Sequence, residues 1–143
     1  MRVADVLRAK GSEVATVPPK VSVTGLLEDL ARYNVGALVV VDEAGTLVGI
    51  VSERDVVRRL DERGSELLTA PVSDIMTSPV VTCEPGDAVD GLAEIMTERR
   101  IRHMPVLEDG RLIGIVSIGD VVKSRIRQLE SDREQLESYI ARG

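Results

Sequence analysis

Gly49-Ile50-Val51-Ser52-Glu53-Arg54-Asp55-Val56-Val57 returns 65 residues later as Gly114-Ile115-Val116-Ser117-Ile118-Gly119-Asp120-Val121-Val122. In both stretches an apolar run stops at a serine, and an aspartate three residues on opens a helical pattern. Reading outward, residues 45–58 match 110–123 at nine of fourteen positions, including Gly45/Gly110 and Leu47/Leu112. Upstream the offset becomes 66, and Val14/Val80, Thr16/Thr82, Pro19/Pro85, Val23/Val89, Gly25/Gly91, Leu26/Leu92 and Glu28/Glu94 coincide. The change of offset places one extra residue in the first copy. A short echo, Val3-Ala4-Asp5-Val6-Leu7 on Val72-Ser73-Asp74-Ile75-Met76, opens each copy. The chain is therefore read as a duplication rather than as one 143-residue domain.

Each copy reads strand, helix, strand, strand, helix. Val14 to Val17 and Val80 to Cys83 are short β-branched starts, ended by Pro19 and Pro85. Leu26, Leu27 and Leu30, and in the second copy Leu92, Ile95 and Met96, have helical spacing, with Ser22 and Asp87 as expected N-caps. The apolar runs Ala37–Val41 and Leu47–Val51 flank Asp42-Glu43-Ala44-Gly45, and Met104–Leu107 and Leu112–Val116 flank Glu108-Asp109-Gly110, which are hairpin signals. Gly64-Ser65 and Pro71 mark a linker. The expected organisation is a first unit over 1–64, a linker over 65–71, a second unit over 72–125 and a helical extension over 126–143. A unit of about 60 residues buries only about 60% of its unfolded surface, so the two are expected to pack together.

Composition narrows the function. Eighteen Lys and Arg face 24 Asp and Glu, a net charge of −6, which opposes phosphate-backbone binding and predicts no nucleic-acid partner. Two Tyr, with no Phe or Trp, leave almost no platform for stacking bases. A single Cys83 and a single His103 cannot build a disulfide, a Cys/His zinc site or a Cys-x-x-Cys pair, so no metal is expected. No apolar run approaches the ~20 residues that span a bilayer, and Met1-Arg2-Val3-Ala4-Asp5 has no signal-peptide pattern. A soluble cytoplasmic protein is the expectation. Phosphate-loop, G-x-S-x-G and H-E-x-x-H motifs do not occur. Cys83 aligns with Val17 and reads as a small core residue, so no catalytic residue and no enzyme activity are expected.

The repeated Gly-x-x-Ser-x-x-Asp supports two readings. As structure, Ser52 with Asp55 and Ser117 with Asp120 form capping boxes that satisfy helix amides. As a binding device, the Ser hydroxyl and helix amides receive a phosphate, while the Asp accepts hydrogen bonds from a ribose diol. Gly49 and Gly114 would let backbone approach the ligand.

The duplicated β-α-β-β-α unit, the hairpin into Gly-Ile-Val-Ser-x-x-Asp, the run Ile101-Arg102-His103-Met104-Pro105-Val106, the stretch Ser117–Ile126 and the ending Tyr139-Ile140-Ala141-Arg142-Gly143 resemble a tandem pair of cystathionine-β-synthase (CBS) domains, a Bateman module. The resemblance spans nearly the whole chain, and the stretch Ser117–Ile126 and the ending are similar to small stand-alone bacterial CBS-pair proteins. It implies an α/β (α+β) fold of two units forming a pseudo-twofold disc, with clefts between them that bind adenosyl ligands: AMP, ADP, ATP, NAD(H) or S-adenosylmethionine. By the same resemblance Asp55 and Asp120 are ribose-binding acids, Ser52 and Ser117 phosphate-side hydroxyls, and Thr16 and Thr82 edges of the adenine pocket.

The copies differ where affinity would be set. Gly36-Ala37-Leu38-Val39 in the first copy is Arg102-His103-Met104-Pro105 in the second. Arg102 and a protonatable His103 would favour a phosphate, and Met104 could pack on adenine; the alternative is a solvated basic turn with His103 half-buried. Arg54, at a helix start where the second copy has Gly119, reads either as a phosphate ligand or as a solvated side chain. Unequal binding by the two clefts is expected. Past the repeat, Val122, Ile126, Leu129, Leu136 and Ile140 follow a heptad seam interrupted by Arg133, which either packs back on its own unit or joins two subunits as a homodimer. The functional expectation is a regulatory adenine-nucleotide module. A ligand-free scaffold that meets an effector protein through the last helix is the alternative.

Overall fold

The structure is a computed structural model that describes residues 1–142. In chain order it contains α1 (Val3–Lys10), β1 (Thr16–Val17), α2 (Val23–Tyr33), β2 (Ala37–Val41), β3 (Leu47–Ser52), α3 (Glu53–Arg63), α4 (Val89–Arg99), β4 (His103–Glu108), β5 (Arg111–Ser117) and α5 (Ile118–Arg142). Two 3₁₀ turns, Gly64–Thr69 and Val72–Asp74, lie between α3 and α4. The α/β fold and the long last helix are as expected.

Packing divides the chain differently from the repeat in sequence. One compact unit is Glu13–Val81; the other joins Met1–Ser12 to the chain from Thr82 onward. The segment that precedes each copy in sequence has been exchanged. In the Glu13–Val81 unit the Val72 amide donates to Val21 O (2.8 Å) and the Ser73 amide to Pro19 O (3.0 Å). In the other unit the Val3 amide donates to Asp87 O and the Ala4 amide to Pro85 O, both at 2.9 Å, through the equivalent positions.

A missing side chain in each hairpin receives the exchanged segment. A Cβ on Gly49 would collide with Met76, whose Cγ would lie 2.8 Å away, and a Cβ on Gly114 would lie 2.6 Å from Leu7 Cδ2. These glycines therefore admit an apolar side chain of the fold, which corrects the expectation that they clear space for a ligand. After Leu7 the chain continues Arg8-Ala9-Lys10 and stays helical, whereas after Met76 comes Thr77-Ser78-Pro79, which cannot. Thr77 instead exchanges two backbone hydrogen bonds with Ile50, at 3.1 and 2.8 Å.

In the Glu13–Val81 unit β1 runs parallel to β2, and β2 antiparallel to β3. Ser22 caps α2 as expected, accepting from the Gly25 amide at 3.1 Å. Residues 65–71, read as a linker, are packed structure: Leu67 is completely buried and belongs to the same core as Val17, Leu26, Leu38, Val51 and Val72. Two-residue and one-residue-longer turns account for the changed repeat offset. Asp109 and Gly110, both at positive φ (51° and 76°), close β4 to β5, whereas the Asp42 carboxylate takes the Ala44 and Thr46 amides (3.0 and 2.9 Å) to close the longer first turn.

Two expectations fail in the second copy. Val80–Cys83 is not a strand: only Cys83 bridges Val106, because Pro105 replaces Val39 and lacks the amide that would donate to Val81 and extend the ladder. Nor is Asp87 the cap of α4. Ala88 holds that position without a side-chain cap, while Asp87 accepts from the Glu84 amide at 2.8 Å and closes a turn. The aliphatic core of this unit includes Val3, Leu92, Met104, Val106 and Val116.

Two stability predictions follow from these contacts. Gly114→Ala should destabilise the protein by about 1–3 kcal/mol through overpacking, and Leu7→Ala in the same chain should recover part of the loss, as measured by urea unfolding. Arg100 ends α4 in the left-handed region (φ 55°), where the first copy places Asn34 (φ 53°). Arg100→Gly should therefore raise stability by about 0.5–1 kcal/mol on the same assay.

Candidate functional site

Both Ser-x-x-Asp corners are complete capping boxes. In the first, the Ser52 amide and hydroxyl donate to Asp55 Oδ2 at 2.8 and 3.1 Å, and the Asp55 amide donates to Ser52 Oγ at 3.3 Å. In the second, the Ser117 amide and hydroxyl donate to Asp120 Oδ2 at 2.9 and 3.0 Å, and the Asp120 amide donates to Ser117 Oγ at 3.2 Å. Every one of these carboxylate contacts falls on Oδ2. Among the described residues nothing donates to Oδ1 of either aspartate, and neither carboxylate is buried without a partner. Capping and ligand binding are therefore compatible: one oxygen holds the helix, and the other keeps two lone pairs for incoming hydroxyls.

The same geometry limits the serines. Each hydroxyl hydrogen is committed to its aspartate, so Ser52 and Ser117 are not donors to a phosphate while the box is closed. The first helical amides are also engaged, Glu53 donating to Gly36 O at 2.9 Å and Ile118 to Arg102 O at 2.8 Å. These bonds draw the loops before β2 and β4 onto the helix starts. Ala37 lies opposite Ser52, and His103 opposite Ser117. Thr16 on β1 pairs with Val39, two residues further along β2. Thus Thr16, Gly36, Ala37, Ser52 and Asp55 gather at one end of one sheet, and Thr82, Arg102, His103, Ser117 and Asp120 occupy the corresponding positions of the other unit.

Accessibility separates the candidates further. Ala37, Leu38, Met104 and Pro105 are buried, and Met104 has no exposed surface at all, so it is a core residue rather than the adenine platform that was expected. Gly36, Ser52, Asp55, Thr82, Ser117 and Asp120 are half-buried, whereas Thr16, Arg54 and Arg102 are exposed. His103 is half-buried and has an interaction partner within the fold. Arg54 forms no ion pair with any described residue, so its placement beside the first box leaves its charge available.

Lys10, at the end of α1, is the residue that sequence reading missed. Its Nζ donates to Asp120 Oδ2 at 2.7 Å and to Ile115 O at 2.9 Å. No residue of the Glu13–Val81 unit does this for Asp55. Burial works to raise the Asp120 pKa, but the Lys10 hydrogen bond, the Ser117 amide and the Lys10 charge outweigh it and hold the carboxyl below its ordinary value. Next to this pair lies a cavity of about 200 Å³ lined by Met1, Lys10, Asp120, Lys123, Ser124 and Arg127. Three cations against one acid suit a small anionic group, and the volume is below the ~300 Å³ at which whole-ligand pockets begin. The repeat comparison could not expose Lys10, because its counterpart in the echo is Pro79 and its contact depends on the exchange of segments. Among the described residues no cluster of three His, Cys, Asp or Glu is placed to hold a metal ion, and no helix is long and apolar enough to cross a membrane.

The CBS-domain family model matches twice, over residues 3–62 and 72–127. A mitochondrial CBS domain-containing protein of Arabidopsis thaliana is 35% identical over 149 aligned residues, covering 99% of this chain and 72% of that protein. A CBS-domain containing protein from Agrobacterium tumefaciens superposes with a TM-score of 0.86 at 46% identity, covering 87% of this chain and 99% of its own. The CBS domain pair of protein MJ0100, solved in complex with methylthioadenosine and S-adenosyl-L-methionine, superposes with a TM-score of 0.79 at 28% identity over 90% of this chain and 98% of its own.

A lowered carboxyl pKa contributes stability that is present at neutral pH and is lost as pH falls through the folded-state value. Lys10→Met should therefore cost about 1 kcal/mol at pH 7, shift the acid-unfolding midpoint to higher pH, and cost less near pH 2, where only the bond to the Ile115 carbonyl is still forfeited. Urea titrations across that range, read by circular dichroism, check all three outcomes.

Proposed function

The chain belongs to the CBS-domain family, and on that premise we propose that it is a regulatory module of the cytoplasm that senses energy or redox state by binding an adenine nucleotide: AMP, ADP, ATP or NAD(H). The observation that carries this reading is the unengaged Oδ1 at each Ser-x-x-Asp corner, an acceptor held in place by the cap on the other oxygen. A ribose presents two adjacent hydroxyls, and an ionised carboxylate oxygen accepts both without an aromatic platform. The adenosyl ligands in the MJ0100 complex support the same class of ligand.

The two sites differ in charge. Beside Asp55, the exposed Arg54 supplies a phosphate partner. Beside Asp120, Lys10, Lys123 and Arg127 surround a cavity sized for an anionic group, with Arg102 exposed at the end of the loop. Backbone amides and these cations, rather than the serine hydroxyls, take the phosphates in this reading. Unequal affinity of the two sites follows from the unequal cations.

Asp55→Asn and Asp120→Asn separate capping from binding, because the amide oxygen keeps the helix cap while the amide nitrogen turns the sugar-facing acceptor into a donor. Each should weaken nucleotide binding at its own site tenfold or more, from the loss of a charged hydrogen bond worth about 1.5–3 kcal/mol, with unfolding free energy unchanged within about 1 kcal/mol. Calorimetric titration with AMP, ADP, ATP, NAD and S-adenosylmethionine measures the first, and urea unfolding the second. Wild-type affinity in both variants, or no binding of any of these compounds to the native chain, overturns the reading.

A further inference from the structure

The cavity beside Asp120 is walled by one stripe from each of two helices. α5 contributes Asp120 and then Lys123, Ser124 and Arg127, three, four and seven residues on, and α1 contributes Val6 and Lys10, one turn apart. Both helices belong to the same compact unit. None of the sheet-end residues Thr82, Arg102, His103 and Ser117 lines it. α5 buries Val121 and Ser124, and every described residue from Arg125 to Arg142 is exposed, so Arg127 stands at the outer end of the cavity.

The charge of this lining is not balanced from within. Lys10 Nζ neutralises the Asp120 carboxylate at 2.7 Å, whereas Lys123 and Arg127 form no hydrogen bond or ion pair with any described residue. Two cations are thus left over in a chain whose net charge is −6, and a concave wall concentrates their attraction for an anion. The buried part of the lining carries a hydroxyl. Ser124 is 6% exposed, and its Oγ donates to Met1 Sδ at 3.0 Å. A thioether is a weak acceptor, so an oxyanion oxygen takes that hydrogen bond in its place. Val6, also buried, adds an apolar wall that limits the water around the charges.

We propose that this cavity binds a phosphate-class oxyanion by itself, with Lys123 and Arg127 as charge partners and the Ser124 hydroxyl as a neutral donor. Its volume of about 200 Å³ takes a tetrahedral oxyanion with a few waters, at about 30 Å³ for each water, and not a nucleoside as well. Arg127 offers a planar fork to two oxygens, and Lys123 a point charge to a third. The inference goes beyond the nucleotide reading, because none of the groups it uses is the sugar-facing Oδ1 of Asp120. Free inorganic phosphate and the phosphate of an ester satisfy the same three side chains.

Calorimetric titration of the full chain with inorganic phosphate, at an ionic strength held constant with chloride, should show one saturable site. Arg127→Met and Lys123→Met should each weaken it about tenfold or more, the loss of one charged hydrogen bond. Arg125→Met, which removes the same charge from another face of α5, should leave it within about twofold. All three side chains are exposed, so the variants keep the wild-type urea transition. No saturable binding at tens of millimolar phosphate, or equal weakening by Arg125→Met, overturns the proposal. AMP titrated into the phosphate-saturated chain identifies the source of the anion. A raised apparent dissociation constant assigns the cavity to the phosphate of an ester, an unchanged one assigns it to the free anion, and either keeps it as a phosphate site. A chain that binds phosphate but no adenine nucleotide overturns the function proposed above and leaves this site standing.

Discussion

One oxygen of one carboxylate holds the strand-to-helix corner in each half of this molecule. Asp55 Oδ2 and Asp120 Oδ2 each collect an amide and a hydroxyl from the preceding serine. That arrangement fixes where the helix begins, where the neighbouring loop carbonyl must lie, and which direction the second oxygen faces. The two readings of the motif thus concern different oxygens of one side chain, and the cap occupies one of them. An acceptor for sugar hydroxyls has to be held in place, and the cap immobilises each carboxylate.

Around these near-identical corners the surroundings are unequal. The exchanged segment is a full helix in one unit and a 3₁₀ turn in the other, since Pro79 stops what Lys10 is able to continue. Lys10 then reaches Asp120 and the carbonyl of Ile115, while Thr77 satisfies the carbonyl of Ile50 from the backbone. A single difference in helix length therefore places a cation at one carboxylate and withholds it from the other. Pro105, in place of Val39, likewise shortens the β ladder of the second copy. Duplication supplied the scaffold, and small departures from it gave the two corners different charge.

The amino-acid sequence alone determined the duplication, the hairpins, the helix starts at Ser52 and Ser117, and the seam along the last helix, because each is a local pattern of periodicity, turn chemistry or capping read over a few consecutive residues. Tertiary structure alone decided the rest. Gly49 and Gly114 make room for Met76 and Leu7, residues from distant parts of the chain, so their role could not be read beside the motif. The burial of Leu67 and Met104 and the pairing of Lys10 with Asp120 likewise depend on which segment packs on which hairpin. That choice is made by long-range contacts whose partners are far apart in sequence, and local pattern carries no record of it.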